Sequence, residues 1–218
     1  MTFTSKVNSD SIVYVIDDDK ATCEAVETLL GSAGLAVRSF ADAADFLAFN
    51  MSDLPSCVVL EVRLKGKSGL ALQEHIAQQL HLPVILMTAH GDIPMSVRAM
   101  KAGAIDFLTK PFRGQDMVDA AYCALEADRD RREAKRAETA LRKLYEYLTP
   151  RERSIMAMVA DGLANKQIAA ELNLSEITVK IHRAQAMKKM QANSFADFVL
   201  KSDALGLVDR QYRAERRA

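Results

Sequence analysis

The chain has no apolar run long enough to cross a membrane. The longest apolar stretches, such as Leu82-Pro83-Val84-Ile85-Leu86-Met87, fall far short of the ~20 residues that a spanning helix needs. Residues 1–11 are polar and lack the apolar core of a secretory signal. Cysteine is scarce: Cys23, Cys57 and Cys123 are an odd number without metal-ligand spacing, which argues against a disulfide framework or a zinc cluster. They read as reduced core residues of a cytoplasmic protein. No internal repeat and no low-complexity tract is present. Net charge is missing too, with 29 Lys and Arg against 29 Asp and Glu. The balance is uneven, however: residues 1–127 carry −6, residues 128–148 carry +2 and residues 149–218 carry +4. Only the far end suits a polyanion.

What is present is globular. At 218 residues, 49% hydrophobic and 27% charged, the chain has room for two small domains with cores of their own. Ser11 to Ile16 is an apolar, β-branched run broken by Asp17-Asp18-Asp19, and helical spacing of Val26, Leu29, Leu30 and Ala33 follows. Leu35 to Phe40, a run from Cys57 that ends on the acidic Glu61, Pro83 to Thr88 and Ala104 to Thr109 read as further strands. Helices over 42–49, 70–80 and 92–101 separate them. Alternation of this kind predicts an α/β fold, a doubly wound, flavodoxin-like five-stranded parallel sheet covered on both faces.

In such a sheet, ligands bind at the carboxyl ends of the strands. Asp17, Asp18, Glu61, Thr88 and Lys110 all fall there. A single acid after a strand is usually a helix cap. Five polar residues gathered at one edge point instead to an acidic phosphoryl site, with Glu61 where an aspartate is usual.

From Gln115 a helix is predicted to continue without interruption, since residues 128–147 contain neither Pro nor Gly. Its weak seam of Leu125, Ala137, Leu141, Leu144, Tyr145 and Leu148 fits either a solvated linker or a helix paired with a partner chain. Thr149-Pro150 with Glu152 marks a new helix start. Two short helices follow, over 153–161 and 165–172. A third starts at the Ser175 cap, its apolar face expected at Ile177, Val179, Ile181 and Met187. Such a pair joined at Asn173-Leu174, with a basic outer face, is the helix-turn-helix layout. A last helix is expected from Phe195, where Phe195, Phe198 and Val199 suit either a dimer contact or core. The domains are therefore expected at 1–127, 128–147 (linker) and 148–218.

Two sets of motifs carry a family resemblance. One is Val15-Ile16-Asp17-Asp18-Asp19, Met87-Thr88-Ala89 and Phe107-Leu108-Thr109-Lys110-Pro111-Phe112. The other is Leu148-Thr149-Pro150-Arg151-Glu152-Arg153, Gly162-Leu163-Ala164-Asn165-Lys166-Gln167-Ile168-Ala169 and Leu174-Ser175-Glu176-Ile177-Thr178-Val179-Lys180-Ile181-His182-Arg183. Together they resemble a two-domain bacterial response regulator of the FixJ/NarL type, a receiver followed by a LuxR/GerE-type helix-turn-helix. The resemblance implies a switch fed by a histidine kinase, with Asp18 and Asp17 holding Mg²⁺, a hard cation suited to carboxylates. It also implies that Thr88 and Lys110 meet the phosphoryl group, that Phe107 is the aromatic switch, and that Lys110-Pro111 is a cis bond.

Glu61 departs from that pattern, and the loop after it, Leu64-Lys65-Gly66-Lys67-Ser68-Gly69, has drifted as well, which argues for natural divergence and against a feeding kinase. A carboxylate one methylene longer is misplaced for in-line transfer, where about 1 Å costs on the order of 100-fold. Glu61 mimics the phosphorylated state, or it is inert and control runs through protein contacts or expression level, or, as a lesser alternative, it is slowly phosphorylated; the residues do not separate the first two. No cofactor is then required. The expected activity is DNA-binding transcriptional control, not catalysis: an aspartyl phosphatase needs a second acid two residues on, where Arg63 stands. The alternative is a receiver serving mainly as an interaction module. For DNA contact the expected residues are Lys166, Thr178, Lys188 and Lys189, with Val179, Lys180, His182 and Arg183 at base edges. A domain of only +4 should bind as a homodimer on paired half-sites.

Overall fold

A computed structural model describes residues 8–65 and 67–207. The chain divides into two compact units with the boundary between Arg132 and Glu133. In order, the first unit contains β1 (Asn8–Ile16), α1 (Lys20–Ser32), β2 (Leu35–Phe40), α2 (Ala43–Ala48) and β3 (Ser56–Glu61). Two short strands follow, β4 (Arg63–Leu64) and β5 (Lys67–Ser68), then α3 (Gly69–His75), which continues as a π-helical turn over Ile76–Leu80. After these come β6 (Val84–Thr88), α4 (Ile93–Lys101), β7 (Asp106–Thr109) and α5 (Gly114–Glu146).

Five strands form one sheet in the order β2-β1-β3-β6-β7, every neighbouring pair parallel. Alternation sorts their side chains. Val13, Val15, Cys57 and Val59 face a core closed by α1 and α5, while Tyr14, Ile16, Val58 and Leu60 face one closed by α2, α3 and α4. With both faces covered, the central strands are apolar through their middles, as in Ile12–Ile16, Cys57–Leu60 and Val84–Met87, and β3 is buried along its whole length. Because all five strands run the same way, their carboxyl ends share one edge.

The third strand ends at Glu61, as expected. Arg63–Leu64 turns away and pairs antiparallel with Lys67–Ser68. Gly69 makes that return possible: its amide donates to Val62 O at 2.8 Å, and a Cβ there would lie 2.7 Å from Val62 Cα and 2.8 Å from Val62 O. Cys23 and Cys57 are buried as expected, but Cys123 is exposed, because it lies on the outer face of α5.

The second unit contains the end of α5 and four helices, α6 (Pro150–Ala160), α7 (Asn165–Leu172), α8 (Glu176–Lys189) and α9 (Phe195–Ala204). Thr149 and Glu152 form a reciprocal capping box at the start of α6. Asn173 ends α7 in the left-handed region at φ 51°, where Asn is tolerated, and Ser175 caps α8 through the Thr178 amide. Ile155, Met156, Val159, Ile168, Val179, Ala186, Met190 and Phe198 form this unit's core. The seam of α5 is largely used up locally: Leu125 belongs to the first unit's core, while Leu141, Leu144 and Tyr145 pack against the second's.

Candidate functional site

The shared edge of the sheet brings the expected acidic residues together. Asp17 follows β1, Glu61 ends β3, Thr88 ends β6, and Lys110 follows β7 at a cis peptide bond to Pro111. Lys110 Nζ donates to Asp17 Oδ2 at 2.8 Å and to Glu61 Oε2 at 2.7 Å. The second oxygen of each carboxylate is also engaged, Asp17 Oδ1 by the Asp19 amide at 2.9 Å and Glu61 Oε1 by the Arg63 amide at 3.1 Å. Asp17 and Glu61 are 2% and 7% exposed, so their charges depend on these partners. Burial works against the charge of Lys110, but the hydrogen bonds and charges of Asp17 and Glu61 outweigh it and hold its pKa above the ordinary lysine value.

The remaining residues are less engaged with that cluster. Thr88 is buried, and its hydroxyl accepts from the His90 amide at 3.3 Å. Asp18 is half-buried and lies 3.4 Å from the Nζ of the exposed Lys65, a pair of little energetic weight. Phe107 is half-buried and packs toward the α2–α4 core. Lys65, the Arg63 amide and Gly69 were not anticipated as parts of the edge; the only signal in the sequence was the glycine-bearing loop after β3.

The carboxylates are hard oxygen donors of the kind that suits Mg²⁺. Their arrangement does not form a ready cage: among the described residues no three Asp, Glu, His or Cys groups converge on a metal position, and the Lys110 ammonium holds Asp17 and Glu61.

In the second unit, α8 carries two opposed stripes. Glu176, Ile177, Lys180, Ile181, Ala184, Gln185 and Lys188 are exposed and recur at helical spacing on one side. Val179, Ala186 and Met190 are buried on the other, and Arg183 falls in their row. This corrects three expectations. Ile177 and Ile181 do not face the core; they are 71% and 52% exposed. Val179 is fully buried, so its side chain is not offered to a base edge. Lys189 pairs with the buried Glu152 at 2.7 Å, tying α8 to α6. His182 and Arg183 are half-buried; His182 Nδ1 has no hydrogen-bond partner, while Arg183 donates to Asn165 Oδ1 at 3.0 Å. Lys166, Lys180 and Lys188 are exposed, and Thr178 is half-buried beside its cap.

Known proteins match both units. Residues 13–122 match the family model described as response regulator receiver domain, and residues 146–202 match that of bacterial regulatory proteins, luxR family. Nodulation protein W of Bradyrhizobium diazoefficiens is 50% identical over 204 residues, 93% of this chain and 90% of that protein. The transcriptional regulatory protein FixJ of Azorhizobium caulinodans is 43% identical over 86% of this chain and 89% of its own. Among solved structures, the response regulator StyR matches with a TM-score of 0.78 at 42% identity, over 89% of this chain and 99% of that one.

Proposed function

The chain belongs to the response regulators that control transcription through a receiver domain and a LuxR-type DNA-binding domain, and from that premise we propose that its receiver is governed by Glu61 and not by phosphorylation. The supporting observation is the 2.7 Å contact between Glu61 and Lys110 at the edge of the sheet. A carboxylate there already occupies the lysine that a phosphoryl group would recruit. Two unit charges about 4 Å apart attract by roughly 4 kcal/mol at an effective dielectric near 20, before desolvation is subtracted. That is enough to bias a switch whose states differ by a few kcal/mol. The longer side chain also misplaces the acceptor oxygen, so a kinase has no productive target. Control of this kind needs no cofactor.

Residues 1–127 act as the receiver, 128–147 as a helical linker and 148–218 as the DNA-binding domain. Lys166, Thr178, Lys180 and Lys188 meet phosphates, and the exposed Ile177 and Ile181 lie on the same stripe of α8, where apolar contact with thymine methyl groups is available. A module of net +4 has limited affinity alone, so it works as a homodimer on paired half-sites. The exposed Ile93, Val97 and Met100 of α4 offer the receiver an apolar contact for that association. A DNA partner is consistent with a cytoplasmic protein. No helix among the described residues is long and apolar enough to cross a membrane.

Sedimentation equilibrium on the native protein and Glu61→Ala tests the reading. The native protein is expected to dimerise without treatment and the variant to associate at least about tenfold more weakly, a difference of ~1.4 kcal/mol. A small-molecule phosphodonor is expected to leave the native constant unchanged. Equal association of the two proteins, or a shift on phosphodonor treatment, would sink it.

A further inference from the structure

Arg183 lies on the wrong side of α8 to read DNA. It follows Val179 by one turn and precedes Ala186 by another, in the row that faces the core. Its guanidinium already has two partners. Nη1 donates to Asn165 Oδ1, on the first residue of α7, at 3.0 Å. The cationic carbon lies 5.5 Å from the ring centroid of Phe195, the first residue of α9. One side chain near the middle of α8 therefore meets the starts of both flanking helices.

Resting on the DNA-binding reading above, we propose that Arg183 is a positioning residue: it fixes α8 between α7 and α9 so that the stripe of Ile177, Lys180, Ile181, Ala184 and Lys188 meets the groove in one orientation. The planar fork matters here more than the charge. A guanidinium donates along fixed directions while its face stacks on an aromatic ring; an ammonium has the charge without the plane. The neighbouring rows supply the contrast: Lys180 and Lys188 are exposed and have no partner of this kind among the described residues. A residue contacting a phosphate would tolerate lysine. A residue reading one base pair would alter preference at one position of the operator. A positioning residue does neither.

The test uses the full-length protein and an operator selected by it from a randomised duplex library. Arg183→Lys, Arg183→Gln, Asn165→Ala and the double variant Arg183→Lys/Asn165→Ala are titrated against that operator and an unrelated duplex at several salt concentrations, with thermal unfolding as the check on folding. Arg183→Lys is expected to lose about tenfold in operator affinity although its charge is kept, as befits a charged hydrogen bond. Asn165→Ala should lose a similar factor, and the double variant no more than either. Affinity of Arg183→Lys for the unrelated duplex and its salt slope should stay native. Native affinity in Arg183→Lys, a slope lower by about 1 in Arg183→Gln, additive losses, or a preference changed at a single base pair would each overturn the proposal. If Arg183→Gln fails to fold, Asn165→Ala decides alone, and native operator affinity in that variant refutes it. A native protein that selects no sequence sinks the DNA-binding reading and this inference with it, whereas a selected operator with additive losses sinks only the inference.

Discussion

Lys110 is the residue on which the acidic edge depends. It stands between two carboxylates that are 2% and 7% exposed and hydrogen-bonds both. Lys110→Met keeps most of the side chain's length and removes its charge, leaving Asp17 and Glu61 facing each other without a cation. Removing one partner of a buried ion pair costs ~3–5 kcal/mol, and the lysine's residual exposure of 22% argues for the lower end, about 3. Urea denaturation of the full-length variant measures this, and a loss under ~1 kcal/mol would mean the contact is solvated and weak. The pH dependence has a definite sign. The folded-state pKa of Lys110 is raised, because the two carboxylates outweigh its burial, so its stabilisation is complete below about pH 10.5 and is lost as pH rises through the folded value. Native protein should therefore weaken in alkali, in a step that Lys110→Met lacks.

At the scale of elements, β3 and α5 are joined by a residue that sequence reading passed over. Asp128 is fully buried, accepts from the Ser56 amide at 2.9 Å, and is paired with Arg131 and Arg132 at 2.6 Å each. Arg132 in turn reaches Asp53 at 2.7 Å. In the sequence Asp128 looks like one more charge in an alternating run; only the parallel sheet brings it beside a residue 72 positions away. By contrast, strand and helix positions, the capping box and the turn at Asn173 were legible, because each rests on local spacing or local backbone chemistry. Where the sequence reading failed, facing was decided by neighbours: Ile177 and Ile181 are apolar, and α8 turns them outward to bury Val179, Ala186 and Met190. The acidic edge was legible as a set, since parallel strands oblige their ends to meet, but the partner of each oxygen was not. Asp128→Ala tests the junction: it orphans the Ser56 amide and removes the carboxylate from Arg131, which is 38% exposed, while Arg132 keeps Asp53, so the expected cost is at the lower end, ~3 kcal/mol. Denaturation within ~1 kcal/mol of native would show that water replaces the carboxylate.

For the whole molecule, the uneven charge is the property that bears on partners. A half with net −6 and an end with net +4 share one chain, so an approaching duplex meets repulsion as well as attraction. The two act over different ranges. Lys180 and Lys188 release counterions in direct contact, and each substitution by Ala is expected to lower the slope of log K against log salt by about 1, alike for all sequences. Repulsion from residues 1–127 acts through solvent and is screened beyond a Debye length, about 8–10 Å near physiological salt but ~30 Å at 0.01 M. Binding curves for the full chain should therefore steepen normally as salt falls to ~0.1 M and then bend over as the acidic half comes into range. Fluorescence anisotropy of a labelled duplex across that interval measures both effects in one titration. A straight line down to 0.01 M would mean that the acidic half exerts no net repulsion on the bound duplex.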